Sequence, residues 1–173
     1  MRWSPWRAEP YHSQTKRSSE MSLRDLTSSK KQPRERQTRR LNPRQVRAMK
    51  KRGYDAEREL VHMLRAEGYD AIRVPVSAPS REPLPDVFAV KGDTILSFEV
   101  KSQARYAYYK RDQVSKLFEF LEIHKIYPKR YAVLAGKFKY KGWWFEIATK
   151  ADDYMIKVNQ GLTWRELLDR LSP

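Results

Sequence analysis

Two carboxylates and an ammonium fall where residues 85–101 read as a hairpin, two short apolar runs around Gly92-Asp93. A two-residue loop with glycine first suits a type II′ turn, whose twist matches the flanking strands. With that loop, Lys91 pairs with Thr94, and the same register sets Asp86 opposite Glu99. Opposed residues share a face with Cβ atoms roughly 4.5–5.5 Å apart. Lys101, two residues beyond Glu99, shares it too. Two such close carboxylates repel unless a cation joins them, and a hard divalent ion with oxygen ligands suits the set. The plainer alternative is a solvated strand end carrying a surface ion pair.

A third acid comes from a helix. Asn42-Pro43 has the form of an N-cap with proline at the first helical position, and a helical pattern runs to Glu67, ends at Gly68 and is expected to break near Gly53. At 100° per residue, Glu57 lies within about 60° of Leu60, Val61 and Leu64, whereas Glu59 lies about 160° away and is expected to face outward. A carboxylate on an apolar stripe needs a partner. Glu57 is therefore a candidate third contributor to a metal site.

The remaining elements position these groups. Residues 71–76 form an expected first strand, and the proline-rich loop 77–85 delivers the chain to Asp86. In the hairpin, Val87, Ala89, Leu96, Phe98 and Val100 occupy one face and Phe88, Val90 and Ile95 the other, so a central sheet covered on both sides is expected, with the acidic cluster at its rim. Residues 102–109 are polar and aromatic. A second helix is expected over 110–126, with Val114, Leu117, Phe118 and Leu121 inward and Gln113 at the stripe's margin, able to point toward the sheet. A strand over 131–138 turns at Lys141-Gly142 into Trp143-Trp144-Phe145-Glu146-Ile147, whose alternation leaves either Trp143 or Trp144 exposed. Thr163 with Glu166 forms a capping box for a terminal helix over 164–171. No internal repeat is found.

Composition narrows the function classes. There is no cysteine, which excludes disulfides and thiolate-metal sites and fits a cytoplasmic setting. No apolar run approaches the roughly 20 residues needed to span a bilayer, and Arg2 and Arg7 are not followed by the apolar core of a secretory signal. The formal charge is +15, and residues 1–52 carry 16 Lys/Arg against 4 Asp/Glu. That asymmetry points to a polyanion, nucleic acid rather than membrane. Residues 1–41 lack apolar periodicity and are expected to be a disordered basic extension of a folded domain at 42–173, with Met21 and Met49 as alternative starts.

Helix, strand, Asp-hairpin-Glu-x-Lys, helix and strand pair is an order similar to that of the archaeal Holliday junction resolvases, within the restriction-endonuclease-like PD-(D/E)xK nuclease superfamily. The resemblance covers about residues 50–147. Ala56-Glu57-Arg58-Glu59 resembles the family's opening helix, Arg73-Val74-Pro75-Val76-Ser77 its R-x-P-x-S segment, and Tyr108-Tyr109-Lys110-Arg111-Asp112-Gln113 its Y-x-x-R-x-Q element. Pro83-Leu84-Pro85-Asp86 and Phe98-Glu99-Val100-Lys101 match the metal-binding and catalytic motif, and Gly142-Trp143-Trp144-Phe145 the G-W-x-F strand. The extension before the Lys51-Arg52-Gly53 run has no counterpart in the family.

The resemblance implies an α/β fold, a mixed sheet flanked by helices, and Mg²⁺-dependent hydrolysis of DNA phosphodiesters, with Mn²⁺ able to substitute. By the same resemblance Glu57, Asp86 and Glu99 hold the metal, with the Val100 carbonyl as an extra ligand, while Ser77, Lys101 and Gln113 complete the catalytic set and Arg58, Arg73 and Arg111 bind DNA. It further implies a four-way DNA junction as substrate and a homodimer that makes paired cuts. A superfamily nuclease acting on flap, nicked or duplex DNA is the alternative. A non-catalytic nucleic-acid-binding module is a third reading, opposed by the presence of all three acids and the lysine.

Overall fold

The computed structural model describes residues 42–75 and 82–172. The 1–41 extension and Ser77 lie outside the described residues. In chain order the elements are α1 (Pro43–Ala66), β1 (Asp70–Arg73), β2 (Val87–Lys91), β3 (Thr94–Gln103), β4 (Tyr106–Tyr109), α2 (Arg111–Ile123), β5 (Lys129–Phe138), β6 (Gly142–Ala148), β7 (Tyr154–Lys157) and α3 (Trp164–Leu171). Five strands form a mixed sheet in the order β1-β2-β3-β5-β6, in which only β3 and β5 run parallel. A parallel pair needs a crossover, here supplied by β4 and α2.

The hairpin has the expected two-residue loop. Lys91 pairs with Thr94 and the ladder runs to Val87 and Phe98. Gly92 sits at φ 57, while Asp93 does not share the left-handed region, which is the type II′ rather than the I′ pattern. Both expected faces are realised. Val87, Ala89, Leu96, Phe98 and Val100 join α1 and α3 in one core. Ile95, with Phe88 and Val90 packed against it, joins α2, β4 and β7 in the other. Thr94 to Phe98 is buried throughout, as the central strand of a doubly covered sheet must be.

Several expectations are corrected. α1 does not break at Gly53 but runs unbroken for 24 residues, because glycine in an exposed helix interior costs only about 1 kcal/mol relative to alanine. Asn42 caps its start in a reciprocal box with Gln45. At its end Gly68 (φ 79) allows Gly68 N–H to reach Arg65 O and Tyr69 N–H to reach Leu64 O, the Schellman arrangement. The first strand spans Asp70–Arg73 instead of 71–76: Val74 N–H still bonds Asp86 O at 2.9 Å, but Pro75 has no donor to continue the ladder. α2 stops at Ile123, capped by His124, short of the expected 126, and its fourth buried residue is Phe120, with Phe118 only half-buried. The polar and aromatic stretch 102–109 contains β4, which pairs with β7. Neither tryptophan is the exposed one: Trp143 packs on the α1 face and Trp144 on the α2 face, each half-buried. The terminal helix and its Thr163–Glu166 box are as expected.

Candidate active site

β3 carries the centre of the site. Glu99 and Lys101 alternate with Val100, so both stand on the α2 side while Val100 enters the α1 core. From the first turn of α2, Gln113 reaches across. Its Nε2 donates to Glu99 Oε1 at 2.5 Å and its Oε1 accepts from Lys101 Nζ at 2.8 Å. One amide thus spaces an acid and a base that lie 3.8 Å apart. Gln113 also accepts from Lys110 N at 3.3 Å, which ties its position to the start of the helix. Asp153, from the turn before β7, fixes that start as well, accepting from Arg111 N at 2.7 Å and from the Tyr108 hydroxyl at 2.6 Å. Nothing in the local sequence marks Asp153, since its partners depend on the pairing of β4 with β7.

Asp86 corrects the simple register. The ladder ends at Val87, and Asp86 N–H donates to Phe98 O at 2.9 Å instead of continuing opposite Glu99. The side chain turns inward, and Oδ2 accepts from Val100 N at 2.7 Å. Asp86 therefore lies against the Phe98–Val100 stretch of β3, while Glu99 remains on the α2 side.

Electrostatics set this pair apart. Burial pushes Asp86 up, a rise that the Val100 N–H bond opposes and the charge of Glu57 adds to. Burial likewise pushes Glu99 up, and the charge of Asp86 pushes it further, with Lys101 and Lys116 opposing. Without further positive charge, the two carboxylates cannot both ionise at little cost. Beneath Lys101 lies Tyr109, its ring centroid 5.4 Å from Nζ and its buried hydroxyl without a hydrogen-bond partner among the described residues.

Glu57 is placed on the core side of α1 as expected, its side chain only 12% exposed, but it has a partner: Arg73 Nε donates to Oε2 at 2.5 Å. Arg73 also stacks over Tyr54, 4.6 Å from the ring centroid. The third expected acid is thus tied to the arginine that the resemblance assigns to DNA. Among the described residues, no three His, Cys, Asp or Glu side chains form a ready-made metal cluster. The donor set nevertheless suits a hard cation at Asp86 and Glu99, two desolvated oxygen donors whose mutual repulsion a divalent ion would relieve.

Of the expected DNA-binding arginines, Arg58 is exposed and pairs with Asp55 at 2.9 Å, and Arg111 is exposed at the start of α2. Glu59 was expected to face away. It is exposed, yet it bridges two strands, accepting from Lys137 of β5 and, at 2.8 Å, from Trp143 Nε1 of β6. Burial works to raise its carboxyl, but these two donors hold it below its ordinary value. A 3.6-residue wheel shows only which way Glu59 leaves the helix; the reach of β5 and β6 to it is a tertiary fact.

Comparison with known proteins adds sequence and fold. The family model for archaeal Holliday junction resolvase (Hjc) matches residues 48–172. A protein named crossover junction endodeoxyribonuclease Hje, from Saccharolobus islandicus, is 41% identical over 117 residues, covering 66% of this chain and 85% of its own. A Sulfolobus acidocaldarius protein of the same name is 48% identical over 88 residues, covering 50% of this chain and 62% of its own. The crystal structure of Archaeoglobus fulgidus Hjc, described as a Holliday junction resolvase, superposes with a TM-score of 0.56 at 27% identity, covering 69% of this chain and all of that one.

Proposed function

The chain belongs to the archaeal Holliday junction resolvase family, and from that premise we propose that it is an endodeoxyribonuclease that cuts four-way DNA junctions by Mg²⁺-dependent hydrolysis. The observation that carries this reading is the convergence of Asp86, Glu99, Lys101 and Gln113 around residues 99–101 of β3, with both carboxylates short of positive charge. Asp86 and Glu99 would hold Mg²⁺, or Mn²⁺ in its place, and Glu57 could join only by sharing or releasing Arg73. The ion would supply a Lewis acid for the scissile phosphate and lower the pKa of the attacking water.

The chain's own groups do the rest. Gln113 holds Lys101 by one ammonium proton, which leaves two donors for the attacking water or a phosphate oxygen. The positive charge there offsets negative charge developing on the phosphate as one P–O bond forms and another breaks. Asp86 fixes the Val100 backbone between Glu99 and Lys101, so a shift in β3 moves both side chains together. Ser77, as in the resemblance, belongs to the same catalytic set. Arg58, Arg73 and Arg111 are the proposed phosphate contacts, positioning DNA by its backbone and not its bases.

Resolution of a junction needs two cuts related by symmetry, so the working unit is proposed to be a C2 homodimer. Its setting is the cytoplasm, where the family's DNA substrate would lie. Incubation with four-way junction, flap, nicked and duplex DNA, in Mg²⁺ and in EDTA, tests the reading. Paired symmetric cuts confined to the junction and to Mg²⁺ are expected. Equal cutting of flap or duplex would move the protein to another nuclease class of the superfamily.

A further inference from the structure

A cavity with a volume of about 530 Å³ adjoins Lys101. Met49 and Arg52 of α1, Lys101, Ser102 and Gln103 of β3, and Lys139 after β5 line it. Among the described residues no carboxylate lines it, so its described wall carries three cations and no anion. Such a volume falls within the roughly 300–1,000 Å³ of pockets that take whole small ligands, more than a lone phosphate requires.

The roof is an overhang. α1 buries nothing before Ala56, and the preceding stretch carries Arg44, Arg47, Lys50, Lys51 and Arg52, all exposed, with no acidic residue in its first turn. The first three turns of α1, through Arg52, bury no residue, so burial alone does not account for them. Met49 is 46% exposed on that overhang and gives the cavity an apolar wall beside its cations. Lys139 is held at the rim, where its N–H bonds Gln103 O at 3.2 Å and its ammonium lies 4.8 Å from the Tyr140 ring centroid.

We infer that this cavity is a nucleotide subsite next to the scissile bond, in which Arg52 and Lys139 take the neighbouring phosphate and Met49 takes the deoxyribose. The inference rests on the nuclease reading above and deepens it, since Lys101 is common to the catalytic cluster and the cavity wall. A fork of guanidinium donors and a point charge lining one groove suit a single phosphate. The subsite would fix how far the strand advances past Lys101, and so which bond is cut.

The test uses the full chain and synthetic four-way junctions in which one phosphate at a time is replaced by a neutral methylphosphonate. Metal-free binding in EDTA and single-turnover cutting in Mg²⁺ are both measured, for wild type and for the double variant Arg52→Gln/Lys139→Gln. Both positions are exposed, so the fold should survive. In wild type, one flanking position is expected to weaken binding and slow cutting when neutralised. The double variant should bind more weakly, lose its response at that position alone, and show a slope of log affinity against log salt shallower by about 0.9. The same positional profile in both proteins, or an unchanged salt slope, would overturn the subsite. Should wild type fail to cut while the binding profile behaves as described, the nuclease reading falls and the subsite stands.

Discussion

Glu57 and Glu99 are both acids expected to hold the metal, and the charge of Glu57 bears on Asp86 and Glu99 alike, but the elements around the two acids treat them differently. On the α1 side Glu57 meets a guanidinium that neutralises it at close range. On the α2 side Glu99 faces an amide, a more distant ammonium and the repelling charge of Asp86. Burial is similar, with side chains 12% and 15% exposed, so the difference lies in charge and not in solvent access. A satisfied ion pair resists change, whereas a pair of desolvated like charges is poised to take up a proton or a cation. This contrast supports the proposed ranking of the acids, with Asp86 and Glu99 as the metal pair and Glu57 as a conditional third.

The largest effect should come from breaking the α2 side. Asp86→Asn, Glu99→Gln or Lys101→Ala is expected to lower the single-turnover cleavage rate by at least about 10²–10³-fold, while junction binding in EDTA survives because affinity comes from phosphate contacts. Near-wild-type cutting by any one of them would show that the metal pair is misassigned. On the α1 side, Arg73→Met leaves Glu57 without its cation. Because the pair is not fully buried, a loss on the order of 2 kcal/mol is expected in urea unfolding, against about 3–5 for a wholly buried pair. Replacing both, with Glu57→Gln and Arg73→Met, should recover part of that stability yet remain inactive; full activity would remove Glu57 from the site. Glu59→Gln should change least, by less than about 1 kcal/mol in stability, since its contacts are exposed. Its cleavage rate should stay within a few-fold of wild type, and a larger fall would mean that the Lys137–Trp143 brace holds Glu57 in place.

Much of this was legible in the residues. The Gly92-Asp93 loop predicted the hairpin, its register to Val87 and both apolar faces, because a two-residue turn leaves only one register and the pleat has a period of two. Gln113, Glu57 and Asp86 were all brought to the site. What escaped was tertiary. The register extrapolated past Val87 could not show that Asp86 would leave the ladder to bond Phe98 O and Val100 N. Nor could a helical wheel show that Glu57 would spend its charge on Arg73, 16 residues away, or that Glu59 would find Trp143, 84 residues away. The β4–β7 pair was missed because four-residue strands carry too little pattern to announce a partner nearly fifty positions on.

The ranking of the acids is tested most directly by thermal unfolding of the wild type between pH 4 and 9, with and without Mg²⁺, beside Asp86→Asn. Asp86 is pushed up to about 6 and Glu99 to about 8, so the folded state holds protons that the unfolded chain has released above its ordinary carboxylate values near 4. The sign follows: this contribution to stability is fully present below about pH 4 and is lost as pH rises through the folded values. Metal-free wild type should therefore lose stability toward pH 8, and Asp86→Asn, relieved of the repulsion, should lose less. Mg²⁺ should raise the melting temperature of wild type most at pH 8, where the pair is free of protons, and should barely move Asp86→Asn. An equal Mg²⁺ shift in both proteins, or a stability that rises from pH 5 to 8 without metal, would contradict the assignment of Asp86 and Glu99 as the metal pair.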